Sequence, residues 1–166
     1  MIIVVRNDRI CKFILPDKRS LVIHANVINL FLKYTQNNLK DVESGGFLIG
    51  YENKYNKSII IEDITTPKKD DGRGVTYFKI RDVEHYEQIK ESNLNDSFFL
   101  GSWHTHPQDY VYPSVTDWLD WKKSIRRERP GAKYMLFIIV GRKEICVWSA
   151  DMTVRNKKIL KLTKIS

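Results

Sequence analysis

The sequence predicts an α/β (α+β) fold, a mixed central sheet with helices packed around it, and three observations carry that prediction. Val27, Leu30, Phe31 and Tyr34 recur at i, i+3, i+4 and i+7, the stripe of an amphipathic helix. Phe98-Phe99-Leu100 is a short apolar run of strand length. Tyr134 to Val140 and Ile145 to Ser149 are two apolar segments joined across Gly141-Arg142-Lys143, a hairpin pattern. With 166 residues and 42% hydrophobic content, the chain reads as a single domain, 1–166, able to bury a real core.

Taken in order, Ile10 to Leu15 and Leu21 to Ile23 read as short strands around the turn signal Pro16-Asp17. The helix of Val27 to Tyr34 is expected to end near Asn37-Asn38. Gly46 to Tyr51 and Ile59 to Ile64 read as strands joined through polar residues 53–57. Thr66 to Gly74 is expected to be a mobile loop. Val83, Tyr86 and Ile89 suggest a second helix. A third is expected from Ser114, with Val115, Trp118, Leu119 and Ile125 near helical spacing, until Pro130-Gly131 stops it. Lys157, Lys158, Lys161 and Lys164 interleave with Ile159, Leu160 and Leu162 in one terminal strand, where edge lysines discourage aggregation. Trp103, Trp118, Trp121 and Trp148 are read as core or wall residues.

The chemistry gathers in Gly101-Ser102-Trp103-His104-Thr105-His106-Pro107 and Pro113-Ser114-Val115-Thr116-Asp117. In an extended segment side chains alternate, so His104 and His106 share a face and Thr105 points opposite. Pro107 holds the residue before it in the extended region. Asp117 falls in the first turn of the predicted helix, where a carboxylate is favoured, and can turn back towards the histidines. Two imidazoles and a carboxylate make the three-ligand set of a catalytic zinc site with one open position.

These residues resemble the core motif of the JAMM/MPN metalloprotease family. The family's other element, a glutamate before a glycine pair, is matched by Glu43-Ser44-Gly45-Gly46. The resemblance runs from about Ile10 to Trp148 and is greatest to the short bacterial deconjugating proteases of CBASS antiphage operons. It implies an MPN/JAB fold similar to the cytidine-deaminase sheet, and one Zn2+ per chain on His104, His106 and Asp117. It implies that Glu43 holds the attacking water and shuttles its proton, and that Ser114 helps stabilise the oxyanion. The implied substrate is a conjugated protein with an extended C-terminal tail, ubiquitin-like or a nucleotidyltransferase, cut after its C-terminus. Conjugation-enzyme homologues are the implied partners. An added strand beside the site is the expected mode of tail binding.

Each residue also has a plainer reading. Ser114-x-x-Asp117 is a helix-capping pattern in its own right, and Asp117 is expected to serve mainly one of the two roles. Glu43 by itself is an ordinary surface acid. His24 and His85, which lie outside any constellation, read as packed or solvated side chains.

The net charge of +8 divides as +5 over residues 1–40, −7 over 41–121 and +10 over 122–166. The basic excess therefore lies away from the motif in sequence and reads as solvated ends rather than a nucleic-acid surface. The −7 segment suits a tail of neutral or basic character. Met1-Ile2-Ile3-Val4-Val5 is too short for a signal segment and no stretch approaches a membrane span. Cys11 and Cys146 are isolated, which fits a reducing compartment, so a cytoplasmic location is expected. Two other classes remain: a catalytically silent MPN scaffold that binds partner proteins, and a basic nucleic-acid-associated module.

Overall fold

A computed structural model describes residues 9–166; the apolar stretch Met1 to Val5 lies outside them. The elements are β1 (Cys11–Ile14), β2 (Ser20–Ile23), α1 (Ala25–Tyr34), β3 (Gly45–Glu52), β4 (Ile59–Ile64), β5 (Gly72–Gly74), β6 (Tyr77–Lys79), α2 (Glu84–Asn93), β7 (Phe98–Thr105), α3 (Val115–Arg127), β8 (Tyr134–Val140), β9 (Ile145–Asp151), β10 (Ile159–Lys161) and β11 (Thr163–Lys164). Nine strands form one sheet in the order β10-β9-β8-β7-β3-β4-β2-β1-β11, and β5 and β6 pair separately. β2–β4 and β7–β8 are parallel and the rest antiparallel, so the sheet is mixed as expected.

β8 shows why helices must cover both faces. All seven of its residues are buried. Leu136, Ile138 and Val140 join the core that Val27, Ile28 and Phe31 of α1 complete. Met135, Phe137 and Ile139 pack with Trp121 and Ile125 of α3. Alternation along a strand buried on both faces gives a continuous apolar run. α2 lies on the α3 side, where Phe47 meets His85 and Tyr86 edge-on at 5.8 and 5.3 Å.

Gly101 has φ +148°, and a Cβ there would overlap the Leu136 carbonyl, so only glycine fits. It sits where the β3–β7 register shifts, one turn of the pleat before the histidines. A Cβ at Gly46 would likewise overlap the Thr65 carbonyl oxygen. That same oxygen accepts the Trp103 indole N–H at 2.9 Å, which fixes the motif strand from behind.

Several expectations are corrected. α1 stops at Tyr34 rather than near Asn37, because Thr35 turns extended and Gln36 is drawn into the interior. Val83 and Tyr86 are 66% and 53% exposed, and α2 instead buries His85. Hydropathy could not register this, since His85 is buried by polar partners. Thr65 Oγ1 lies 2.6 Å from its Nδ1 and Asp71 Oδ2 2.7 Å from its Nε2. Val115 and Leu119 are exposed on α3, and Trp121 with Ile125 makes its buried face. The terminal strand is two strands, β10 on β9 and β11 on β1, with only Leu162 between them. The sheet therefore curls until its two ends meet, stitched by consecutive residues; Lys161 and Lys164 lie on different edges.

Residues 66–74 are not a free loop. Gly72–Gly74 pairs with Tyr77–Lys79 to form a hairpin, and Asp71 closes its base. Asp71 Oδ1 accepts the Arg81 and Asp82 N–H groups, and Oδ2 accepts the Lys68 N–H and lies on His85. Burial pushes the Asp71 carboxyl up, but these hydrogen bonds outweigh it and hold the group below its usual range. A depressed folded value gives stability that is present above the unfolded value and is lost as pH falls through the folded one. Asp71→Asn is therefore expected to lower Tm at neutral pH and to flatten the loss of Tm below about pH 4. Equal acid slopes for both proteins in a thermal titration would refute this role.

Candidate metal centre

His104 is the second-last residue of β7 and His106 directly follows the strand, and the alternation of the extended chain sets both rings on one side. Their Nε2 atoms are 3.1 Å apart. Asp117, in the first turn of α3, completes the cluster: Oδ1 is 3.1 Å from His104 Nε2 and Oδ2 is 3.1 Å from His106 Nε2. Thr105 points to the opposite side, where it is buried.

Asp117 does not choose between capping and the histidines. Its Oδ2 also accepts the Ser114 N–H at 2.7 Å, while Ser114 Oγ accepts the Asp117 N–H at 3.0 Å, a complete capping box. The capping bonds hold the carboxylate at the angle that faces the two rings. Burial pushes the Asp117 carboxyl up, but hydrogen bonds from His104 and His106 and the charge of His104 pull it far below the usual range. Burial works to lower the His106 pKa, yet the Asp117 carboxylate raises it.

The donor set fits a zinc ion. Bonds of about 2.0–2.2 Å in a tetrahedron separate ligand atoms by roughly 3.3 Å; the two Nε2 atoms are 3.1 Å apart, and each has its own Asp117 carboxylate oxygen at 3.1 Å. One atom from each residue lies within 4.8 Å of the others. The His106 tautomer also agrees. Gln108 Oε1, an acceptor only, lies 3.2 Å from His106 Nδ1 and also takes the Tyr112 N–H. In the neutral ring the proton is therefore on Nδ1 and the Nε2 lone pair faces the cluster. Gln108 was missed in the sequence, although Gln two residues past a candidate ligand is a cue for such a partner.

Glu43 lies on the segment leading into β3 and lines the same cleft of about 570 Å³ as His104, Ser114 and Asp117. It is 5% exposed, unlike the surface acid of its plainer reading. Burial raises its pKa to about 8; His106 opposes the rise and Asp117 adds to it. A dication held by the cluster would draw that value down. The β5–β6 hairpin walls the cleft through Tyr77, Phe78 and Lys79 of β6. Arg73 of the hairpin donates to the Glu43 carbonyl at 3.0 Å and to Ser44 Oγ at 2.7 Å, a tie that the sequence did not reveal.

The cleft's charge differs from that of its sequence segment. Asp120 and Glu128 line it with Lys79, Lys123 and Arg127. α3 thus carries part of the basic excess into the cleft wall, and the charge of residues 41–121 does not represent the groove.

A mixed sheet with three helices and this cluster at its centre defines a JAB-type domain. The chain belongs to the prokaryotic homologs of the JAB domain, whose pattern it matches over residues 24–152. It is 32% identical over 149 residues to a CD-NTase/cGAS isopeptidase of Escherichia coli (strain TW11681), covering 88% of this chain and 90% of that protein. It is 33% identical over 127 residues to a protein of the same name from Vibrio cholerae serotype O1 (strain ATCC 39315 / El Tor Inaba N16961), covering 75% and 78%. The solution structure of protein DSY2949 from Desulfitobacterium hafniense shares the fold, with TM-score 0.55 at 16% identity over 84% of this chain and 87% of that one.

Proposed function

We propose that this chain is a zinc-dependent isopeptidase that releases a protein conjugated through the C-terminal tail of a CD-NTase-type nucleotidyltransferase. The observation that carries the reading is the His104–His106–Asp117 cluster, whose His104 and Asp117 line one cleft with buried Glu43. The two relatives named as CD-NTase/cGAS isopeptidases support the choice of substrate, and the likeness to CBASS deconjugating proteases supports a role in antiphage defence.

His104, His106 and Asp117 hold the ion in this reading. When bound, zinc supplies Lewis acidity that polarises a carbonyl and lowers the pKa of a ligated water towards about 7. Glu43 takes the proton of the attacking water and returns it to the leaving amine, a task suited to a carboxyl whose burial makes it more basic than a surface acid. Ser114 spends its lone pair on the Asp117 N–H and keeps its O–H to donate to the developing oxyanion. The tail lies extended along β6. That strand pairs only with β5, and among the described residues no other backbone hydrogen bond reaches Tyr77–Lys79. A tail strand there would be held by backbone bonds beside the cluster.

Among the described residues no helix is long and apolar enough to cross a membrane. Both cysteines are buried and unpaired, which supports a cytoplasmic location.

A fusion of a CD-NTase through its C-terminus to an unrelated reporter tests the reading. Wild type is expected to release intact nucleotidyltransferase and free reporter, and a chelator to stop the reaction. Scattered cuts inside the reporter would mean a general peptidase. No cleavage with zinc in place would return the protein to the scaffold reading.

Ser114→Ala is expected to cost about 1 kcal/mol of stability through the lost cap and also to slow turnover. Denaturant unfolding and the fusion assay separate the two effects, and an unchanged rate would leave Ser114 as a cap only.

A further inference from the structure

Gln36 is fully buried, and its side chain joins three segments of the chain. Its Nε2 donates to the Asp41 carbonyl at 3.0 Å and to the Val75 carbonyl at 3.1 Å. Its Oε1 accepts the Thr105 hydroxyl at 2.8 Å. Thr105 Oγ1 in turn accepts the Ser44 N–H at 2.9 Å, and the Thr105 N–H donates to the Ser44 carbonyl at 2.8 Å. Both amide hydrogens, the amide oxygen and the hydroxyl are used, so the direction of every bond is fixed.

These segments all border Glu43. Asp41 precedes it by two residues and Ser44 follows it directly. Val75 is next to Gly74, whose carbonyl accepts the Glu43 N–H at 2.7 Å. Thr105 stands between His104 and His106 on the opposite face of the strand. The histidines and Glu43 are thus referred to one another through a single buried amide. An apolar side chain would fill the space and leave two carbonyls without this donor and the Thr105 O–H without its acceptor.

We propose that Gln36 is a positioning residue that sets Glu43 relative to the His104–His106 pair; the inference rests on the isopeptidase reading for its kinetic consequence. A base displaced by an ångström loses up to ~10²-fold in rate, while substrate held elsewhere in the cleft binds as before.

The test compares Gln36→Leu with wild type in the fusion assay, with zinc content and amide hydrogen exchange measured on the same preparations. The expected result is one zinc per chain, KM changed by less than about threefold, kcat lowered ~10- to 100-fold, and faster exchange at Glu43 and Ser44 with β8 still protected. Thr105→Ser, which keeps the hydroxyl, is expected to retain most of the rate, and Thr105→Val to behave like Gln36→Leu. The double variant should be no slower than either single one, as members of one chain of bonds are not additive. If Gln36→Leu does not fold, the Ser and Val pair at position 105 decides the matter. Folded Gln36→Leu with wild-type kcat, zinc lost in step with activity, or Thr105→Ser as slow as Thr105→Val would overturn the proposal. If wild type cuts no fusion, the isopeptidase reading fails, and unchanged exchange at Glu43 and Ser44 in the variant would still overturn the positioning role.

Discussion

His104→Ala and His106→Ala proteins are expected to lose most of their zinc and all measurable cleavage while keeping the fold. Each substitution leaves two ligands of the proposed three, and the missing group is an imidazole nitrogen placed 3.1 Å from a donor atom of each remaining residue. The fold should survive, because both core clusters are built without the cluster residues. Asp117→Ala should lose the metal and also lower stability, since the same carboxylate accepts the Ser114 N–H that starts α3. Metal analysis beside circular dichroism checks all three. Full zinc in both histidine variants would refute the site, and full zinc in Asp117→Ala alone would make that residue a cap.

Glu43→Gln is expected to keep zinc and fold yet turn over at least ~10²-fold more slowly, the usual contribution of a positioned acid–base group. The amide has nearly the shape of the carboxyl it replaces, so the cleft should hold and the substrate should still bind. Burial already makes Glu43 costly to ionise, with its pKa raised to about 8. In the metal-free protein, an amide in place of this carboxyl should therefore leave stability unchanged or slightly higher at neutral pH. The loss should fall on kcat. A Glu43→Gln protein cutting at near wild-type rate, with zinc confirmed, would remove Glu43 from the mechanism.

Much of the cluster geometry was legible because it is local. His104 and His106 share a face through strand alternation, and Ser114 meets Asp117 through the i, i+3 spacing of a helix start. Both are set by a few residues of backbone. The strands Gly45–Glu52, Ile59–Ile64 and Tyr134–Val140 were legible for the same reason, as apolar runs with clear punctuation. Helix faces were less so. α2 buries a histidine because Asp71 and Thr65 satisfy it, and a hydropathy pattern scores such a residue as polar.

The sequence by itself determined the type of fold, the candidate three-residue donor set and its kinship with JAB domains, since each depends on residue type at short spacing. Only the tertiary structure decided that Asp117 faces both histidines and its cap together, and that Lys123 and Arg127 belong to the cleft. It alone closed the sheet by placing two consecutive terminal strands on its opposite edges. It alone also joined Gln36 to Thr105 across 69 positions, and Ser44 to Thr105 across 61. Contacts at such separations depend on which strands become neighbours, and that choice is made by burying the whole apolar surface at once rather than by any local pattern.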